Sequence, residues 1–216
     1  MTAERQADSA YHQIERMIVL QEISPGTLVS EAEMMDRTGI GRTPVREALQ
    51  RLARSRMVEV YPNKGVLIPP ISVDAELKSL EIRRVLEVLA VRLACERASA
   101  EERQDMYAMV EAIRRNQYSL VEYMDTVKGT HDLIVAGAHN PYLVDAMTPL
   151  QGLSRRFWLA YVTDAEVEID KGSAHHVAIL QAILSRDAPA AQRASEALND
   201  YLVDFSFAAL RSRSRQ

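Results

Sequence analysis

The chain has 216 residues, 47% of them apolar and 26% charged, with a formal net charge of −4. That length supports one or two domains with real cores, and the acidic balance excludes a protein that grips nucleic acid or membrane by bulk charge alone. No run approaches the roughly 18 uninterrupted apolar residues of a membrane helix, the lone cysteine, Cys95, reads as core filler, and the polar first ten residues lack an apolar signal core, so a cytoplasmic protein without membrane partners is expected.

In chain order, Tyr11, Ile14, Met17, Ile18 and Leu20 recur at helical spacing and predict a first helix that Ser24-Pro25-Gly26 ends. Ser30 to Arg37, with Met34 and Met35 among charges, predicts a short second helix. Gly39 can stop it by adopting positive φ without a Cβ penalty. The turn is then Gly39-Ile40-Gly41, with Ile40 placed to plug the angle between two helices. Thr43 is expected to cap the third helix, and Pro44 in its first turn loses no needed donor. Val45, Leu49 and Leu52 share one face of this helix, whereas Arg42, Arg46 and Gln50 share another. Residues 57–61 then alternate like a strand, Pro62-Asn63-Lys64-Gly65 is a turn, and Val66-Leu67-Ile68 is a second strand, giving a hairpin with Lys64 and Gly65 at its tip.

Three helices and a hairpin in this order describe a winged helix-turn-helix, whose third helix suits the major groove of double-stranded DNA. The local charge agrees. Between Arg37 and Lys64 the cations are Arg37, Arg42, Arg46, Arg51, Arg54, Arg56 and Lys64, against Glu47 and Glu59 only. An arginine-rich face on an isolated helix is ordinarily just solvated; the turn, the proline-started helix and the basic hairpin together argue for contact with DNA. Arg42 and Arg46 are the leading candidates for base or phosphate contacts, since arginine offers a planar fork. Arg51 and Arg54, further along, read as solvated or at a phosphate.

Gly26-Thr27-Leu28 followed by Arg42-Thr43-Pro44-Val45-Arg46-Glu47-Ala48-Leu49 resembles the GntR family of bacterial transcription regulators. Gly41 stands where that family usually has serine, and Arg56 where it commonly has a glycine that closes the helix. The resemblance implies DNA binding through Arg42, Thr43, Pro44, Arg46, Lys64 and Gly65.

Pro69-Pro70 forbids continuation of either helix or ladder, so domains at 1–70 and 71–216 are expected, with Ser72 placed to cap the next helix. Beyond it the breaks fit six helices at roughly 73–98, 101–116, 119–138, 141–161, 166–185 and 188–210. The predicted fold is therefore mainly α: an N-terminal winged helix-turn-helix and a C-terminal six-helix antiparallel bundle.

In the second part, Arg83-Arg84-Val85-Leu86-Glu87, then His131 with Asn140-Pro141, then His176-Val177-Ala178-Ile179-Leu180, resemble the effector (FCD) domain of the FadR-like branch of that family. Six helices make it similar to the VanR-type subgroup. The resemblance implies a cytoplasmic homodimer, a repressor or activator that binds a near-palindromic operator and answers to a small-molecule effector, a carboxylate among the candidates, through Arg83, Asn140, His131 and His176. It also implies a divalent metal (Zn, Ni or Mn) held by an aspartate and three histidines. Only His131 and His176 stand in place here; Val127 and Leu198 occupy the other two positions. Asp125, Asn199, Asp200 and His175 are the nearby substitutes, but Asp125 lies six residues before His131 and off its face. Two histidines hold such an ion poorly, so a hydrogen-bonded pocket is the preferred reading.

Several of these residues have plainer uses. Arg83 is placed to pair with Glu87 one turn on, Asn140 to cap a helix, and Tyr123, Trp158 and Tyr161 to line a cavity or simply a core. Two other classes of protein compete with a regulator. A helical-bundle metal enzyme or metal-binding protein would use His131 and His176, but no carboxylate lies one turn from either in a ligand pattern, and Asp132 points elsewhere. An oligomerising adaptor leaves the Arg-Thr-Pro helix and wing without purpose.

Overall fold

The computed structural model describes residues 3–115 and 118–213, and the chain divides into two compact units, 1–72 and 73–216. The first holds α1 (Ala3–Val19), β1 (Leu28–Val29), α2 (Glu31–Thr38), α3 (Arg42–Arg54), β2 (Glu59–Tyr61) and β3 (Gly65–Leu67). Ala7, Ala10, Tyr11, Ile14 and Ile18 of α1 are buried, as are Met34 of α2 and Val45, Ala48, Leu49 and Leu52 of α3. These stripes meet in one small core, each large apolar side chain contributing about 1.5–3 kcal/mol on burial.

Helix α1 stops earlier than Ser24-Pro25-Gly26 suggests. Gln21 takes a left-handed φ of 57°, its N–H reaching Ile18 O and that of Glu22 reaching Met17 O, the paired bonds of a Schellman end. A non-glycine residue in that conformation leaves no sequence signal. Helix α2 follows expectation: Ser30 accepts from the Glu33 N–H at 3.0 Å, and Gly39 at φ 66° closes it. Helix α3 does not start as predicted. Its N-cap is Gly41, with no side-chain cap bond, and Thr43 lies inside the first turn. Its far end is a second Schellman closure, with Arg56 at φ 60°, its N–H on Ala53 O and that of Met57 on Leu52 O.

The wing is a three-stranded antiparallel sheet in the order β1-β3-β2, not a lone hairpin. Leu28 pairs with Leu67 and Val29 with Val66 on one side of β3; Glu59, Val60 and Tyr61 pair with Leu67, Val66 and Gly65 on the other. At two residues β1 is too short to alternate visibly.

The second unit holds α4 (Val73–Arg97), α5 (Ala100–Arg115), α6 (Leu120–Gly137), α7 (Pro141–Tyr161), α8 (Ala165–Leu184) and α9 (Ala188–Arg213). Capping explains their starts. Ser119 and Glu122 form a capping box on α6, Asn140 accepts from the Tyr142 N–H with Pro141 following, and Asp164 accepts from the Val167 N–H. Helix α4 is the hub, packed against α6, α7, α8 and α9. Its inward face changes character along its length. Glu76, Ser79, Arg83 and Glu87 are buried at intervals of three or four residues, and the same face continues as Ala90, Val91 and Ala94 into the apolar core with Met106, Met147, Leu180 and Ile183. Cys95 is buried there. No helix among the described residues is long and apolar enough to cross a membrane.

Candidate functional site

In the first unit, the outward face of α3 carries Arg42, Thr43, Arg46 and Gln50, all exposed, while Pro44 is buried and shapes the helix start. Arg46 is held from α2. Its Nε donates to Glu31 Oε1 at 3.1 Å and its Nη2 to Glu31 Oε2 at 3.0 Å, a fork-to-fork pair that raises its pKa and fixes its plane. Arg51 is exposed, as expected, but it is also paired. It donates to Asp8 at 2.6 Å, and its guanidinium lies 4.5 Å from the centroid of the Tyr11 ring, so it ties α3 to α1.

At the wing, Lys64 is exposed beside Asn63, which turns the chain with φ 60°. Gly65 is placed differently. Its φ is 123°, and a Cβ there would lie 2.6 Å from Val29 O, so glycine is required for β1 to reach β3.

In the second unit, a cavity of about 30 Å3, room for about two waters, lies among α4, α6, α7, α8 and α9. Arg83, Tyr123, Val127, His131, Ser154, Arg155, Trp158, Gly172, His176, Leu198 and Tyr201 line it. Arg83 donates through Nε and Nη2 to the same oxygen, Glu87 Oε1, at 3.0 and 2.6 Å, both side chains being buried. Thus the pairing one turn on is real, and Arg83 faces the cavity as well. Ser154 Oγ donates to Glu76 Oε1 at 2.5 Å; burial pushes the Glu76 carboxyl above its ordinary pKa, against the pull of Arg83. Trp158 Nε1 donates to Tyr201 OH at 2.8 Å, and that hydroxyl donates to Glu168 at 2.7 Å.

The histidines meet. His176 Nδ1 lies 2.7 Å from Gly172 O, and its Nε2 lies 3.3 Å from His131 Nε2. Burial drives the His176 pKa down to about 4, and that of His131 well below the usual imidazole range, where the neighbouring His176 and Arg83 add to the effect. Both are therefore neutral near pH 7.

The remaining sequence candidates are brought elsewhere. Asn140 caps α7 and is not among the lining residues. Asn199 donates to Leu80 O, Asp200 pairs with Arg84, Asp125 is exposed, and His175 stacks on Tyr201. Tyr161 packs on Phe157 and is likewise outside the lining. Sequence reasoning misses Glu76, Ser154, Arg155 and Gly172. Only the spacing of Glu76, Ser79, Arg83 and Glu87 carries a signal for them.

A resident metal does not fit this donor set. Val127 and Leu198 present hydrocarbon to the cavity where further ligands are needed, and no three or more His, Cys, Asp or Glu among the described residues are grouped to hold an ion.

The model of the gntR family of bacterial regulatory proteins matches residues 6–68, and that of the FCD domain matches residues 78–200. The chain belongs to the GntR family of regulators that carry an FCD domain, and it is a DNA-binding transcription regulator, not an enzyme. It is similar to the HTH-type transcriptional repressor GlaR of Escherichia coli K12, 28% identical over 203 residues that cover 89% of this chain and 90% of the relative. Similarity to the HTH-type transcriptional repressor RspR of the same strain is 27% over 191 residues, 85% and 81% of the two chains. Among solved structures, Escherichia coli McbR/YncC superposes with a TM-score of 0.71 at 16% identity, covering 94% of this chain and 97% of the other, which speaks for the fold alone.

Proposed function

We propose that this chain is a cytoplasmic, ligand-responsive repressor of the FadR-like branch, VanR-type subgroup, acting as a homodimer on a near-palindromic operator. Residues 1–70 serve as the reading head and 71–216 as the effector-binding and dimerising part. Arg42, Thr43, Arg46 and Lys64 make the DNA contacts, while Pro44 and Gly65 give the helix start and the wing their shape. The effector is a small organic acid that binds at Arg83, His131 and His176, widening the cavity they line beyond its room for about two waters.

The observation that carries this reading is the exposed Arg42-Arg46 face of α3, with Arg46 already oriented by Glu31. Repression is favoured over activation because GlaR and RspR are both named repressors. The test is binding to DNA taken from upstream of the chain's own gene. Wild type should protect a near-palindromic stretch, and the Arg42→Ala/Arg46→Ala double variant should fold but leave that stretch open. Full, specific binding by the double variant refutes the proposal.

A further inference from the structure

The hydrogen bonds in the cavity fix where its protons are. A carbonyl oxygen only accepts, so His176 Nδ1 carries a proton and donates to Gly172 O at 2.7 Å. With His176 neutral, its Nε2 is a bare lone pair, and the 3.3 Å contact to His131 Nε2 closes only if His131 donates there. His131 Nδ1 is then also a lone pair, and it is buried with no hydrogen-bond partner. A second buried acceptor has the same defect. Both bonds from Arg83 end on Glu87 Oε1, which leaves Glu87 Oε2 unpartnered. Glu87 and His131 together line a second space of about 10 Å3, which shares His131 and Leu198 with the main cavity. Buried acceptors without donors are costly; two at one place define what the missing partner must offer.

We infer that this cavity takes its ligand directly, without a resident metal, and selects a small acid that also carries a hydrogen-bond donor. The carboxylate meets the edge of Arg83 that Glu87 leaves open; a hydroxyl of the ligand, with its single proton, donates to His131 Nδ1, and an ammonium group donates to both His131 Nδ1 and Glu87 Oε2. Hydrocarbon at Val127 and Leu198 removes the remaining metal ligands and makes the histidine pair a one-way chain of hydrogen bonds. This rests on the effector reading above.

Two measurements on the full-length protein test it. After dialysis against excess Zn2+, Ni2+ or Mn2+ and desalting, wild type should retain far less than one ion per chain, whereas Val127→Asp/Leu198→His should gain one Zn2+. Retention of about one ion per wild-type chain, abolished in His131→Ala, overturns the metal-free site whatever the double variant does. In the presence of a chelator, malate should raise the melting temperature more than succinate, which differs from it by one hydroxyl. The difference should vanish in His131→Phe. Equal shifts, a larger shift with succinate, or none with either overturns the ligand class. Failure of the regulator reading shows separately, as no binding of untreated protein to its upstream DNA.

Discussion

Arg46 and Glu31 meet edge to edge across the turn between α2 and α3, each carboxylate oxygen taking one guanidinium nitrogen at 3.0–3.1 Å. The pair is exposed, so it adds little to stability. Its effect is on orientation: the Arg46 guanidinium is held in one plane, and on the proposed reading of α3 as the DNA-contacting helix less side-chain freedom is lost on binding. Arg46→Ala should therefore lower operator affinity on the order of tenfold or more and leave the melting temperature nearly unchanged. Glu31→Gln should weaken binding less, and should narrow the gap between operator and scrambled DNA. Fluorescence anisotropy on both duplexes reads this; unchanged discrimination in Glu31→Gln would show that Arg46 is oriented by the DNA itself.

Arg56 closes α3 at φ 60°, in a conformation that costs an L-residue about 1 kcal/mol relative to glycine. The side chain is exposed. Arg56→Gly should stabilise the first unit by about 1 kcal/mol, a rise of roughly 4–8 °C for a unit of this size. Calorimetry on the full chain gives the answer, and a lower midpoint would mean that the side chain contributes more than the backbone costs.

Lys64 and Gly65 are neighbours with opposite duties. Lys64→Ala should leave stability alone, weaken binding to all DNA sequences alike, and reduce the slope of log affinity against log salt by about 1. Gly65→Ala places a methyl 2.6 Å from Val29 O at φ 123°, so β1 must separate from β3 at a cost of about 1–3 kcal/mol. A salt titration and a melting curve on each variant separate the two. Equal loss of stability in both would mean the wing tip is one structural unit.

Gly172 and Tyr123 are in tighter contact still. A Cβ at position 172 would fall 1.9 Å from the Tyr123 hydroxyl, the next ring atom being 3.2 Å away. Gly172→Ala should cost about 1–3 kcal/mol by overpacking and disturb the His176 anchor, because Gly172 O accepts from His176. Removing the hydroxyl makes room, so Gly172→Ala/Tyr123→Phe should recover most of the loss. A double-mutant cycle on thermal stability measures the coupling; additive costs would place the strain elsewhere.

These contrasts mark what a sequence displays. Ser30, Gly39, Ser119 and Asn140-Pro141 announce helix ends because their side chains, or the lack of one, satisfy backbone groups locally. Gln21 and Arg56 do not, since the chain forces ordinary residues into a glycine conformation there. The polar stripe Glu76, Ser79, Arg83 and Glu87 has visible spacing, yet charges at helical intervals ordinarily face water. Only packing of α4 among four other helices turns them inward. The meeting of His131 and His176 is legible only as a resemblance, being a contact across 45 residues.

Glu76, bonded to the cavity-lining Ser154, gives the second unit a pH signature. Burial outweighs the pull of Arg83 and raises its folded pKa above the unfolded value near 4.5. The folded state therefore holds the proton more tightly, and unfolding releases it. Stability from this group is fully present below the unfolded pKa and is lost as pH rises through the folded one. Glu76→Gln keeps an oxygen for the Ser154 hydroxyl but has no proton to lose. Relative to wild type, the variant should gain stability steadily as pH climbs from about 4.5 through the raised folded pKa, then hold a constant margin. Urea melts of both proteins across that window check it. A margin that instead falls with rising pH would mean that the charged carboxylate is the favoured form, held by Arg83.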